Sequence, residues 1–345
     1  MLLTFNFGDE IMSKKILVTG ASGFIAGHCI LDLLAHGYQV RGTVRNIERV
    51  PRLRKVFANY SQRADEIEFA QADLLDSSGW SEAVEGCDGV FHLASPVPIA
   101  RPKDPNDVIL PAKEGALNAL RAAREQGIKR VVLTSSVAAV MYGHPEKVRA
   151  FTAQDWTNLD APDLPAYFQS KTIAEKAAWE FVKPGGPELV TINPGVVFGP
   201  ALESDYGSSL QLLFNIFTGK YPLLPKTGVE IVDVRDVASL HRLAYEAPDA
   251  AGKRFLCANG FTWNRQIASI LKKEYPDRDI SARELPNFLF PLASRIVKDL
   301  EMVKDEAGKI KTANIDLAKS IGWQPRSVEE AIISGARSFE SLGLV

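Results

Sequence analysis

Residues 15–27, Lys15-Ile-Leu-Val-Thr-Gly-Ala-Ser-Gly-Phe-Ile-Ala-Gly27, read as a short apolar strand that runs straight into a glycine turn. The pattern then continues as a helix through His28–Gly37. A glycine turn between strand and helix presents backbone N–H groups and the positive helix end to a phosphate, and the missing side chains let it come close. Gly20, Ser22, Gly23, Phe24 and Ile25 are therefore candidates to hold a dinucleotide pyrophosphate, and Ala26 takes the third small position. The string alone is weak evidence; its place after the first strand of a βαβ unit strengthens it.

Working outward, YQVRGTV (38–44), IEFAQAD (67–73), GVFHLAS (89–95), RVVLTSS (130–136) and LVTINPG (189–195) read as further strands, each ending in small or polar residues. Helix-length segments such as 111–127, PAKEGALNALRAAREQG, separate most of them. The alternation predicts an α/β chain, a Rossmann-type doubly wound parallel sheet with ligands at the carboxyl ends of its strands. After Gly199-Pro200 the alternation fails. We expect an N-terminal extension over 1–14, an NADP-binding Rossmann domain over 15–193, and a smaller α/β substrate lobe over 194–345, interleaved with the end of the main sheet.

The second strand bears on the choice of dinucleotide. An NAD site is expected to carry Asp or Glu about 20 residues after the glycine turn, whereas an NADP site offers arginine. Here VRGTVRN supplies Arg41 and Arg45 and no carboxylate, with Arg49 or Arg52 able to add a second contact. A guanidinium suits a 2′-phosphate because its contacts are charge-assisted and often bidentate. NADPH/NADP is the expected cofactor. Asp73, with Leu74 beside it, could face the adenine; Leu93, Ala94 and Ser95 could underlie the ribose; Thr134 joins them at the fifth strand end.

Tyr167 and Lys171 open the helical stretch TIAEKAAWEF, and four residues apart they share one helix face. A tyrosine of ordinary pKa, ~10, is scarcely ionised at neutral pH, and a neighbouring ammonium favours the phenolate. Tyr167 can then exchange a proton with a carbonyl oxygen. YxxxK is common. It gains weight from Leu133-Thr-Ser-Ser136 at a strand end, where a serine hydroxyl could hold that oxygen.

The remaining composition narrows the classes. Forty basic and 42 acidic side chains give a net charge of −2 with no long block of either sign, unlike a nucleic-acid binder. Cys29, Cys87 and Cys257 are odd in number and far apart, which disfavours a disulfide framework or a cysteine metal site. The five histidines are scattered, so no metal is expected. The longest apolar candidate for a membrane span, Leu285–Val297, is short and broken by Pro286, Pro291 and Arg295. Reduced thiols, no membrane and a cytoplasmic location are the expectation. Residues 1–11 read as an upstream extension ahead of Met12.

Taken together, TGASGFIA, HLASP, VVLTSS, YFQSK, NPGVVFGP and VDVRDVA resemble the extended short-chain dehydrogenases/reductases from Lys15 to the C-terminus. TVRN, TSSVAAV and SKTIAEKAAWEF are similar to the branch of dihydroflavonol reductases, cinnamoyl-CoA reductases and fungal methylglyoxal/aldehyde reductases. The resemblance implies NADPH-dependent carbonyl reduction with Ser136 as the catalytic serine. It also implies Arg45 and secondarily Arg52 on the 2′-phosphate, Lys171 on the nicotinamide ribose, and Pro194 to Val197, with Val196 and Val197, along the nicotinamide. Met141 stands where plant flavonoid reductases carry a polar residue, which points to a more apolar substrate.

Val97, Val137, Met141, Leu164, Phe214 and Phe217 are the expected pocket wall, apolar enough for a small hydrophobic or aromatic aldehyde or ketone. Each is equally a possible core residue. Rival readings are a sugar-nucleotide epimerase or dehydratase, which Arg45 disfavours, a sterol-type alcohol dehydrogenase, and a non-enzymatic NADP sensor. A monomer or homodimer is expected.

Overall fold

The computed structural model describes residues 14–97, 102–286 and 304–345. Residues 1–13 of the expected N-terminal extension and most of the Leu285–Val297 stretch lie outside the described residues.

Seven parallel strands form the central sheet: β1 Lys15–Val18, β2 Gln39–Val44, β3 Glu68–Gln71, β4 Gly89–His92, β5 Arg130–Thr134, β7 Glu188–Pro194 and β10 Arg254–Cys257. Their order is β10-β7-β5-β4-β1-β2-β3. All six expected strands take part, and the seventh comes from beyond residue 193. The order reverses between β1 and β4, which pair directly through Ile16–Val18 and Gly89–Phe91. Loops leaving two such strands diverge, and that crevice is where open parallel sheets bind ligands.

Strand side chains alternate between faces. Leu17, Val90, Val131, Leu133 and Leu189 point to one side, against α4 (Asn106–Glu125) and α5 (Ala166–Val182). Ile16, Val18, Phe91, Val132, Val190 and Ile192 point to the other, against α1 (Phe24–Ala35) and α7 (Val234–Glu246). Burial on both faces explains why these strands read as continuous apolar runs. Arg130 is the charged exception in β5: its guanidinium donates to the carbonyls of Tyr245 and Ala247 at 2.7 and 2.6 Å and pairs with Glu188 at 2.7 Å. A buried arginine is thereby spent on the carboxyl end of α7, where a cation is favoured.

The remaining elements build the lobe. β8 (Val196–Phe198) pairs parallel with β9 (Gly228–Asp233), and β11 (Phe261–Trp263) pairs antiparallel with β9. Helices α6 (Gly207–Phe217), α8 (Asn264–Glu274) and α10 (Val328–Ser341) close a second core with Phe198, Leu213, Ile231, Leu271 and Phe339 at its centre. β6 (Val148–Phe151) and β12 (Ile310–Ala313) form a small parallel pair. Short helices α2 (Val50–Ala58), α3 (Trp80–Val84) and α9 (Asp316–Ser320) complete the described chain.

Candidate active site

β1 exits at Thr19 and turns through Gly20, whose φ of +70° is a conformation that favours glycine. The turn is held from three sides. The Gly20 N–H donates to the Thr43 hydroxyl at 3.0 Å, the Ala21 N–H to the Thr43 carbonyl at 2.8 Å, and the Gly23 N–H back to Gly20 at 2.8 Å. Thr19 accepts the N–H groups of Leu93 and Ala94 at 2.9 and 3.0 Å, tying the β4 exit to the turn. Helix α1 then starts at Phe24 with no side chain capping its first N–H groups. Its end is a set of donors without side-chain acceptors. Neither threonine stood out in sequence, because a hydroxyl that braces a turn carries no spacing signal.

Arg45 follows β2 and is exposed; among the described residues its guanidinium has no hydrogen-bond or ion-pair partner. Its neighbours are committed elsewhere. Arg41 pairs with Glu68 at 2.7 Å, Arg49 with Asp205 at 3.0 Å, and Arg52 with Glu203 at 2.6 Å. Arg52, the expected second contact, is thus paired with a carboxylate of the lobe loop. The Asp73 carboxylate accepts from the Leu75 N–H at 2.9 Å and closes a local turn, while Leu74 packs on Gly115 of α4 and gives its carbonyl to Asn118 at 3.0 Å.

At the end of β5 the chain divides its polar groups between the two faces. The Thr134 hydroxyl lies 2.7 Å from His241 Nε2, and His241 Nδ1 faces the Val237 carbonyl at 2.8 Å. Since Nδ1 must donate there, Nε2 accepts, and the Thr134 hydroxyl donates toward α7. Burial pushes His241 down to about 4, so this arrangement stays neutral. Ser136 caps the turn Val137–Ala139, accepting the Ala138 N–H at 3.1 Å and donating to the Pro194 carbonyl at 3.4 Å.

Tyr167 and Lys171 lie on the first turns of α5, Tyr167 partly buried and Lys171 7% exposed. The Ser136 hydroxyl interacts with the Tyr167 phenol and favours its ionised form. Burial outweighs that effect, and the phenol is raised above the usual tyrosine range. The expected lowering of Tyr167 by Lys171 is therefore absent among the protein's own groups. Lys171 is itself desolvated, which pushes it down to about 8, with Glu175 opposing the fall. At neutral pH the site combines a protonated phenol with a mostly protonated amine.

Pro194 ends β7 and is buried; Val196 is partly buried against the lobe, while the Val197 side chain belongs to the main core. Of the expected pocket residues, Val137 and Met141 pack with Val140, Phe151 and Leu256 in a small closed cluster, and Phe217 is 1% exposed between Tyr275 and Arg278. These three are core residues: their apolar character fits burial, and their partners lie in other elements. Val97 is exposed, and Leu164 and Phe214 are partly buried.

A family model for the NAD dependent epimerase/dehydratase family matches residues 16–258, most of the chain and every element just described around the glycine turn, Ser136, Tyr167 and Lys171. The chain belongs to that family. Among its members, cinnamoyl-CoA reductase 1 of Arabidopsis thaliana is 34% identical, over 96% of this chain and 90% of its own. A dihydroflavonol 4-reductase of Zea mays is 30% identical over 96% of this chain and 89% of its own. The solved structure of Gre2 from Candida albicans in complex with NADPH superposes with a TM-score of 0.78 at 27% identity, covering 95% of this chain and 99% of that one. The chain is thus similar to reductases of the kinds that the sequence motifs resembled.

Proposed function

We propose that this chain is an NADPH-dependent reductase that converts an aldehyde or ketone to an alcohol. The observation that carries the proposal is that the turn capped by Ser136, at the carboxyl end of β5, packs against α5, whose first turns carry Tyr167 and Lys171. The residues present fit the dinucleotide. The Gly20 turn lies so close to Ala94 that a β-carbon would crowd it, the start of α1 has no side-chain cap, and Arg45 offers a guanidinium without a partner among the described residues. Gly20, Ser22, Gly23, Phe24 and Ile25 would meet the pyrophosphate, Arg45 the 2′-phosphate, and Lys171 the nicotinamide ribose.

When bound, NADPH supplies the hydride for the carbonyl carbon. Ser136 donates its hydroxyl hydrogen bond to the carbonyl oxygen and so fixes its position against Tyr167. Tyr167 then transfers its phenolic proton to that oxygen, completing the alcohol. A phenol held above its usual range is protonated at neutral pH, as a donor must be. The phenolate left behind is favoured by the Ser136 hydroxyl, while Lys171, four residues on along the same helix, would hold the ribose. Residues from Pro194 onward supply most of the substrate wall, with Phe214 and Val196 as its apolar contribution beside Val97 and Leu164.

The test is a comparison of NADPH and NADH oxidation across aldehydes, ketones, β-keto esters and a cinnamoyl-type CoA thioester, the last because the relatives include cinnamoyl-CoA reductases. We expect turnover with at least one carbonyl, with NADPH preferred by on the order of tenfold or more, the ratio about 1.4 kcal/mol of differential binding supplies. Tight NADPH binding without turnover of any carbonyl would reject the reductase and leave a sensor.

A further inference from the structure

Behind the catalytic residues lies a polar cluster that the mechanism above does not use. Glu175, one helical turn beyond Lys171 in α5, is 1% exposed. Its carboxylate accepts from the Ser135 hydroxyl at 2.5 Å, the Asn193 side-chain amide at 2.8 Å, the Thr191 hydroxyl at 3.2 Å and the Trp179 indole at 3.2 Å. Arg254, on the outer strand β10, donates to it from Nε at 2.6 Å. That guanidinium is fixed in turn by the carbonyls of Ala153 and Asp155 at 2.6 and 2.7 Å and by the Trp156 ring 3.8 Å away.

The connections converge on the reacting groups. Ser135 precedes Ser136, Asn193 precedes Pro194, and Asn193 Nδ2 also donates to the Ser136 carbonyl at 3.2 Å. One carboxylate thereby fastens the helix that carries Tyr167 and Lys171 to the strand end that carries Ser136. A carboxylate taken wholly out of water is retained only with strong partners, and a pair of well-packed apolar residues would serve the fold as well. The placement beside Lys171 asks for another reason.

We propose that Glu175, balanced by Arg254, is a positioning residue for the reduction: it keeps Lys171 protonated and holds Ser136 in register with Tyr167. The inference rests on the reading of Tyr167 and Lys171 given above. The groups facing this part of the site support it. His92 on β4 is driven by burial down to about 3 and stays neutral; β5 and β7 contribute the uncharged Ser135, Thr191 and Asn193; β10 contributes Arg254, already paired. Among the described residues, Glu175 is the one group that raises Lys171 against the desolvation that lowers it.

The experiment is the pH profile of kcat in the full-length protein carrying Glu175→Gln, and in the double variant Glu175→Gln/Arg254→Met, which removes both charges and leaves neither buried alone. We expect the alkaline limb of kcat to move to lower pH by about one unit in both, the scale of a close opposite charge. Where the single variant fails to fold, the double variant is read. A role confined to stability would lower Tm or the active fraction while leaving the limb in place, and an unmoved limb in a folded variant overturns the inference. Failure of the underlying reading is seen separately, as a Tyr167→Phe protein that remains active. With Tyr167→Phe inactive and the limb unmoved, only the role of Glu175 falls.

Discussion

Gly20 stands directly against Ala94: a β-carbon on Gly20 would lie 3.1 Å from the Ala94 methyl and 3.2 Å from its α-carbon. The contact sits where the strand order reverses, so the turn that would receive the pyrophosphate and the loop that would underlie the ribose share one wall. Gly20→Ala adds a methyl at that wall and asks a side-chain residue to hold a φ of +70°, a strain of roughly 1–2 kcal/mol. We expect NADPH affinity by calorimetry to fall by about tenfold or more, with Tm lowered by a few degrees.

Arg45 and Arg52 separate by their partners. Arg45→Gln removes a guanidinium that has no partner among the described residues, so NADPH binding should weaken by about 1.5–3 kcal/mol while NADH binding changes little. Arg52 is exposed and already paired with Glu203, and exposed pairs contribute about 0–1 kcal/mol. Arg52→Gln should leave the NADPH-to-NADH ratio within a fewfold of the parent. Equal losses in the two variants, measured by fluorescence titration, would contradict the assignment.

These two arginines also show how far the sequence could be read. The glycine turn and the strand ends were legible because each is local: a strand, a turn and a helix start within a dozen residues, with the small residues where a backbone must bend. The partner of Arg52 lies 151 positions away, and nothing in the second strand announces it. The same holds for β10, whose four residues Arg254–Cys257 are too short to show alternation and join the sheet only through Thr191–Pro194. Met141 and Phe217 were legible as apolar and not as core or pocket, since composition does not say which element will cover a side chain. Glu175 was passed over for the opposite reason. A glutamate in a charged helix reads as solvated until the β5 exit, β7 and β10 close on it.

Lys171 gives a prediction with a definite sign. Its pKa in the fold is about 8, against an ordinary lysine value of 10.5. The folded state therefore binds this proton less readily than the unfolded state, and the cost of burying the cation is fully present below about 8. The cost shrinks as pH rises toward 10.5. Lys171→Met should stabilise the protein at pH 7 by up to about 3 kcal/mol, at about 1.4 kcal/mol per unit. The difference in unfolding free energy between the two proteins should narrow between pH 8 and 10.5; a constant difference would contradict the burial.

Phe217 tests the boundary between core and pocket. It is 1% exposed among Tyr275, Arg278 and Phe339, so Phe217→Ala should cost about 3–5 kcal/mol in unfolding free energy. Relative kcat/KM values across a substrate series should stay the same. Phe214→Ala, at a partly buried position packed on Tyr206 and Phe339, should instead reorder that series with a smaller loss of stability.

The central claim is that Tyr167 protonates the carbonyl oxygen beside Ser136. The direct measurement is turnover of the best carbonyl substrate by Tyr167→Phe, with NADPH affinity determined on the same sample. The account predicts a loss of turnover of at least 10²–10⁴-fold, the usual worth of a positioned proton donor, with NADPH affinity retained. Turnover within a fewfold of the parent protein, at the same NADPH affinity, would contradict it.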